Sequence, residues 1–161
     1  SYVQRNFYNK LGLGTMGFHP RERFSITRIV PTENDTIFRK QLVHGDVHDQ
    51  TAALLGGVAG HAGLFSDALD VAIIMQMLLN EGVYGGDTLI DADVIRDFTG
   101  VQYVIEKNRR GAGFDKPALI KGQASPSCES ASAKSFGHSG FTGTYTWADP
   151  EIGRASCRGT V

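Results

Sequence analysis

The sequence predicts a mixed α and β fold in which helices pack on an incomplete antiparallel sheet. Three observations carry that prediction. Apolar residues recur at three- and four-residue spacings through the middle of the chain, glycines interrupt them at short intervals, and after residue 110 short runs rich in β-formers take over. The predicted strands are too few for a complete sheet. At 161 residues, with 41% hydrophobic and 20% charged, the chain has the length and composition of one globular domain.

The elements follow in order. Tyr2–Tyr8 reads as the closing turns of a helix, broken by Gly12, Gly14 and Gly17. Residues 18–46, with Pro20, Pro31 and a Thr32-Glu33-Asn34-Asp35 turn, read as a long irregular connection of the kind that is more often functional than filler. Asp49 caps a short helix through Leu55, because its carboxylate can accept the free N–H groups of the first turn. Ser66 or Asp67 then caps the clearest helix, about 67–80, whose apolar positions are Leu69, Val71, Ile74, Met75, Leu78 and Leu79. Gly82 is its stop signal. Asp91 starts another helix, with Val94, Ile95 and Phe98 on one stripe. Residues 110–114 are a candidate short strand and 122–133 a Ser/Pro-rich loop. Two strands, 134–140 and 143–148, meet at a tight turn over Phe141–Gly143, and Asp149-Pro150 ends the second.

Charge excludes some classes of function. Sixteen Lys and Arg against 17 Asp and Glu leave a net charge of −1, with the basic residues scattered, so neither nucleic acid nor an anionic membrane has an electrostatic footing. No apolar run approaches the roughly 20 residues that span a bilayer. Cys128 and Cys157 match neither C-x-x-C nor a zinc spacing and do not report a redox compartment.

Two groups of residues invite chemistry and are set aside. His44 and His48 stand four apart with Asp49 adjacent and His61 downstream, but Gly45 intervenes and no H-E-x-x-H glutamate is present. Loop-bracing and capping are the favoured roles, no metal or cofactor is predicted, and a metal hydrolase is kept as a third reading. Gly12-Leu13-Gly14-Thr15-Met16-Gly17 has the spacing of a dinucleotide loop, yet it follows a helix-like segment and lacks the strand–turn–helix context. Gly56–Gly63 lacks the G-K-[ST] of a phosphate loop, so close packing at glycine turns explains both.

Gly137-His138-Ser139-Gly140-Phe141-Thr142-Gly143-Thr144 differs from these. A polar triplet stands on a predicted strand between glycines that permit close backbone approach, which suits a substrate-lining strand. A buried histidine beside a hairpin would give the same pattern.

This segment resembles the third motif of serine β-lactamases and penicillin-binding proteins, in the H-x-G form of class C-like esterases and peptidases. Val47-His48-Asp49, Gly56–Ser66 and the Met75–Asn80 helix are similar to the same family. Asn6–Leu13 matches the segment that follows its second motif, Y-x-N. The nearest resemblance is to Bacteroidota serine hydrolase domains, found fused behind a family 3 glycoside hydrolase domain, and it covers residues 1 to about 150.

The resemblance implies a partial β-lactamase/transpeptidase-like fold over 1–152 and acyl transfer through a serine of an S-x-x-K motif. Neither S-x-x-K nor Y-x-N occurs in this chain, and the family places both upstream, so no nucleophile is assigned. Ser66 reads as a cap, Ser132 as a loop residue and Ser139 as part of the third motif. By resemblance, His138 stands for the lysine of K-T-G, Ser139 bonds substrate, Gly140 completes the motif, and the Phe141 N–H is an oxyanion-hole donor. Such a donor contributes about 3 kcal/mol to a transition state.

The expected partner is a small-molecule or peptide substrate, with a cell-envelope location by kinship alone. The isolated chain is expected to be inert, and the rival reading is a non-catalytic module that binds cell-wall peptide. Residues 153–161 are polar where the family continues into an apolar strand and a closing helix. They resemble the translation of a common sequencing adapter, which points to a non-native tail on a truncated reading frame.

Overall fold

In the computed structural model, which describes residues 1–103, 108–120 and 122–158, the fold is mixed α and β with small antiparallel sheets. The chain opens with a π-helical turn, Gln4–Tyr8, that runs into a short α-helix, Asn9–Leu11 (α1). Gly12 ends it in the left-handed region at φ 70°, where a side chain would be strained.

The irregular connection expected over 18–46 contains more order than its composition suggests. Single 3-10 turns at Pro20–Glu22 and Ile26–Arg28 lead into an antiparallel hairpin of Pro31–Asp35 (β1) and Gln41–His44 (β2). Its organiser is Asp35, whose carboxylate accepts the N–H groups of Ile37, Phe38 and Arg39 at 2.8–2.9 Å and folds the chain back on itself. Polar residues dominate β1, and β2 offers only the adjacent pair Leu42-Val43, so no alternation of apolar residues announces the hairpin.

Asp49 caps Gln50–Leu54 (α2), accepting from the Ala52 N–H at 2.7 Å. The long helix forms over Ala68–Leu79 (α3), and of the two candidate caps it is Asp67 that serves, accepting from the Asp70 N–H at 2.9 Å. Gly82 does stop the helix: its N–H reaches back to the Met77 carbonyl, and an added Cβ would collide with the Ile90 carbonyl. Two-residue strands Val83–Tyr84 (β3) and Asp87–Thr88 (β4) pair across Gly85-Gly86, both at positive φ as a tight hairpin of this hand requires. Ala92–Thr99 (α4) follows and buries Ile95.

The main sheet has three antiparallel strands in the order Phe136–Ser139 (β5), Tyr145–Asp149 (β6) and Arg154–Arg158 (β7). The third strand was not expected: it lies within 153–161, pairs along the whole of β6 and rests on α3. Residues 110–114 form a turn instead of the expected strand, closed by Gly111 N–H to Phe114 O at 3.0 Å, with a single bridge from Asp115 to Gly137. The core gathers Leu11, Leu13 and Met16 from the opening segment with Met75, Met77 and Leu78 of α3. Ile95, Phe136 and Ala148 complete it. Phe114 meets Phe136 edge-on at 5.1 Å.

Candidate functional site

Strand β5 carries the candidate residues from the core into solvent. Phe136 and Gly137 are buried, whereas His138, Ser139, Gly140 and Phe141 are all exposed. Gly137 faces Trp147 across the ladder, and a Cβ there would collide with the Trp147 ring and the Thr146 carbonyl, so only glycine lets the strands close. His138 pairs with Thr146 and Ser139 with Tyr145. The turn that follows is tied by Gly140 N–H to Thr144 O at 2.8 Å and by Gly143 N–H to Gly140 O at 3.1 Å, with Gly143 at φ 88°. Phe141 is therefore the second residue of a four-residue turn. Among the described residues its N–H donates to no acceptor.

The His138 ring sits between two partners. Arg110 Nη2 lies 2.8 Å from Nε2, and Nδ1 lies 2.7 Å from the Ser139 carbonyl. An arginine can only donate, so these contacts assign the Nδ1–H tautomer, with Nε2 accepting. Arg109 makes a two-point contact with Asp115, at 2.9 and 3.1 Å, and Arg110 stands 3.9 Å from the same carboxylate. Burial tends to raise the Asp115 pKa, but hydrogen bonds from Arg109 and the Lys116 N–H outweigh it and hold the carboxyl below its ordinary range. Arg109-Arg110 is the one arginine doublet of the sequence, and beside the bridge at 115–137 it is Arg110 that meets His138.

The opposite flank comes from the chain around β2. The His48 ring lies 4.5 Å from the Phe141 ring at 39°, and its Nε2 is 3.0 Å from a Glu33 carboxylate oxygen. Arg39 donates to the carbonyls of Val47 at 2.7 Å and His48 at 2.6 Å.

The remaining sequence candidates have other duties. His44 Nε2 is 2.5 Å from the Ile29 carbonyl, and His61 Nε2 is 3.0 Å from Asp49. The three imidazoles of the metal reading thus engage three different partners, and the described residues contain no group of three donors placed for an ion. Gly12–Gly17 cannot cradle a phosphate either. Asp70, buried in α3, accepts from the Thr15 N–H at 2.6 Å, the Thr15 hydroxyl at 2.7 Å and the Met16 N–H at 3.0 Å. Ser132 donates to Asp149 at 2.6 Å, as a loop anchor would. Beneath the hairpin, Lys116 is buried against the Lys134 carbonyl at 3.0 Å; burial lowers its pKa and the charge of Asp149 partly opposes that.

Comparison with known proteins adds a relationship. Proteins named "Putative D-alanyl-D-alanine carboxypeptidase" from Salmonella agona, Salmonella paratyphi B and Salmonella newport are each 36% identical to this chain over 164 residues, which covers 92% of it. The chain spans 37% of the length of these curated relatives. No family model matches it. The similarity supports a penicillin-binding/serine hydrolase family. Among the described residues no helix is long and apolar enough to cross a membrane.

Proposed function

We propose that residues 137–144 form one wall of an acyl-transfer cleft in a serine peptidase-type hydrolase, and that the substrate is a peptide ending in D-alanyl-D-alanine. The single observation that carries the reading is the turn after β5, where the exposed Phe141 has an N–H with no acceptor among the described residues, close in sequence to an exposed His138. The 36% identity to the carboxypeptidase-named relatives supports the substrate class.

In this reading the roles divide along the hairpin. Phe141 N–H donates to the oxyanion that forms when a serine attacks the scissile carbonyl. Ser139 hydrogen-bonds the substrate beside that point, and Gly140 keeps the turn narrow, since a Cβ there would meet the Thr144 hydroxyl. His138, with its Nε2 held by Arg110, marks the electropositive side of the cleft, where an anionic substrate group would lie. The serine and its base are supplied from outside this chain, through S-x-x-K and Y-x-N motifs, and the reaction passes through an acyl-enzyme with no cofactor. An envelope location and fusion behind a family 3 glycoside hydrolase domain belong to the same proposal.

The test is to read the gene on both sides of this segment and assay the longer protein for release of D-alanine from a D-alanyl-D-alanine peptide. An S-x-x-K, a Y-x-N and release that is lost on replacing the motif serine are the expected results. Turnover of a chromogenic ester by the isolated 161-residue chain would overturn the division of labour. In the longer protein, Phe141→Pro removes the donor and is expected to reduce kcat by about 100- to 1,000-fold.

A further inference from the structure

We propose that His48 is a positioning residue for the Phe141 amide, with Glu33 holding the imidazole in place. The inference rests on the acyl-transfer reading of the hairpin and adds the means by which its oxyanion donor is kept on station.

The turn at 140–143 has little stiffness of its own. It is closed by two backbone hydrogen bonds and contains glycine at both ends, and glycine is the residue with the widest backbone freedom. Phe141 is 89% exposed, so the core does not fix it. A donor that must meet a developing oxyanion has to be held within about half an ångström. Something outside the turn must therefore restrain it, and among the described residues the aromatic partner of Phe141 is His48.

His48 is suited to this because both its backbone and its ring are held. Arg39 donates to the carbonyls of Val47 and His48, and its own guanidinium is anchored 3.3 Å from Asp35. Glu33 on β1 places a carboxylate oxygen at ion-pair distance, 3.0 Å from Nε2, and also stands 3.6 Å from Arg39. One face of the ring is left for Phe141 at 4.5 Å. An imidazole can bond a carboxylate at its edge and pack a ring on its face at once. Leucine can do only the second, and glutamine only the first. The β1–β2 hairpin thereby acts on the turn after β5 through one side chain.

The test is nitrogen-15 relaxation on the labelled 161-residue chain and its His48→Ala, Glu33→Ala and Glu33→Gln variants. Wild-type Phe141 N–H is expected near the rigid-backbone order parameter of about 0.85. His48→Ala and Glu33→Ala are expected to drop it below about 0.6, the flexible range, while the α3 amides keep their native shifts. Glu33→Gln keeps the length of the side chain and an oxygen beside Nε2, and is expected to stay closer to wild type than Glu33→Ala. If His48 only fills space, Glu33→Ala and Glu33→Gln will be equally silent, and the proposal fails. It fails equally if the Phe141 amide is unmoved in His48→Ala. Should His48→Ala not fold, the two Glu33 variants decide. None of these readouts needs a nucleophile, so an unmoved amide overturns the coupling alone. Absence of D-alanine release by the longer protein overturns the acyl-transfer reading alone.

Discussion

Two glycine-rich loops of this molecule bring main-chain N–H groups to a point, and they use them in opposite ways. At Gly12–Gly17 the Thr15 and Met16 amides turn inward onto Asp70, a carboxylate that is only 5% exposed. At Gly140–Gly143 the amide of the exposed Phe141 meets no acceptor among the described residues. The first loop is a buried anion site already filled by the protein's own side chain. The second is open. Glycine spacing is what the two share, so spacing alone reports that a chain can turn tightly, and a distant carboxylate decides whether the donors at that turn remain free for a ligand.

The largest effect expected from this contrast is at Asp70. Asp70→Ala leaves two main-chain donors and a hydroxyl without their acceptor, one of them fully buried, and should lower unfolding free energy by about 3 kcal/mol in a urea titration. A loss below about 1 kcal/mol would erase the distinction between the loops. Gly137→Ala comes next, at about 2 kcal/mol, because its Cβ has to displace the Trp147 ring or open the β5–β6 ladder. Near-ultraviolet circular dichroism of Trp147 should change with it.

A matched pair of prolines then sharpens the comparison. Thr15→Pro deletes an N–H bonded to Asp70 at 2.6 Å and should destabilise by roughly 2 kcal/mol. Phe141→Pro deletes an N–H with no acceptor, at the second position of a turn, where proline is favoured. Its effect on stability should lie within about 0.5 kcal/mol. Equal losses from the two would remove the distinction between the loops.

Acid provides the mildest probe. Burial pushes the Asp70 carboxyl up, but hydrogen bonds from the Thr15 hydroxyl and from the Thr15 and Met16 N–H groups outweigh it and hold the pKa below its ordinary value. For Asp35 the N–H groups of Arg39 and Phe38 lower the pKa most, against a smaller opposing effect of burial. A carboxyl whose folded pKa is depressed contributes stability above its unfolded pKa and loses it as pH falls toward the folded one. The urea midpoint should thus be flat near neutrality and fall below about pH 4. Asp70→Asn should flatten that fall. No change of slope in the variant would mean that Asp70 does not contribute to the fall.

The parts of the fold legible in the sequence are those fixed by neighbours in the chain. Asp49 and the Asp67-capped α3 could be read because a cap and its helix lie within a few residues. The β5–β6 hairpin was visible in its β-formers and turn glycines. The β1–β2 hairpin was not, because Asp35 organises it through main-chain hydrogen bonds and its strands show no alternation of apolar residues. Strand β7 was missed for a similar reason, its five residues being mostly polar with only Ala155 and Cys157 to suggest a face. At the site, His138 through Phe141 stood out as a contiguous motif. Arg110, 28 positions from His138, and His48 beyond β2 are brought beside it by folding, and no local pattern announces either pairing.

Chain chemistry alone settled where helices start and stop, that the fold mixes α and β, and which four residues run from the end of β5 into its turn, since each depends on groups a few bonds apart. Whether those residues face solvent, which guanidinium meets the imidazole and which loop keeps its amides for itself were settled only by packing. Those outcomes depend on a carboxylate, a ring or a strand arriving from a distant part of the chain, and the energy that selects them exists only once the core has closed.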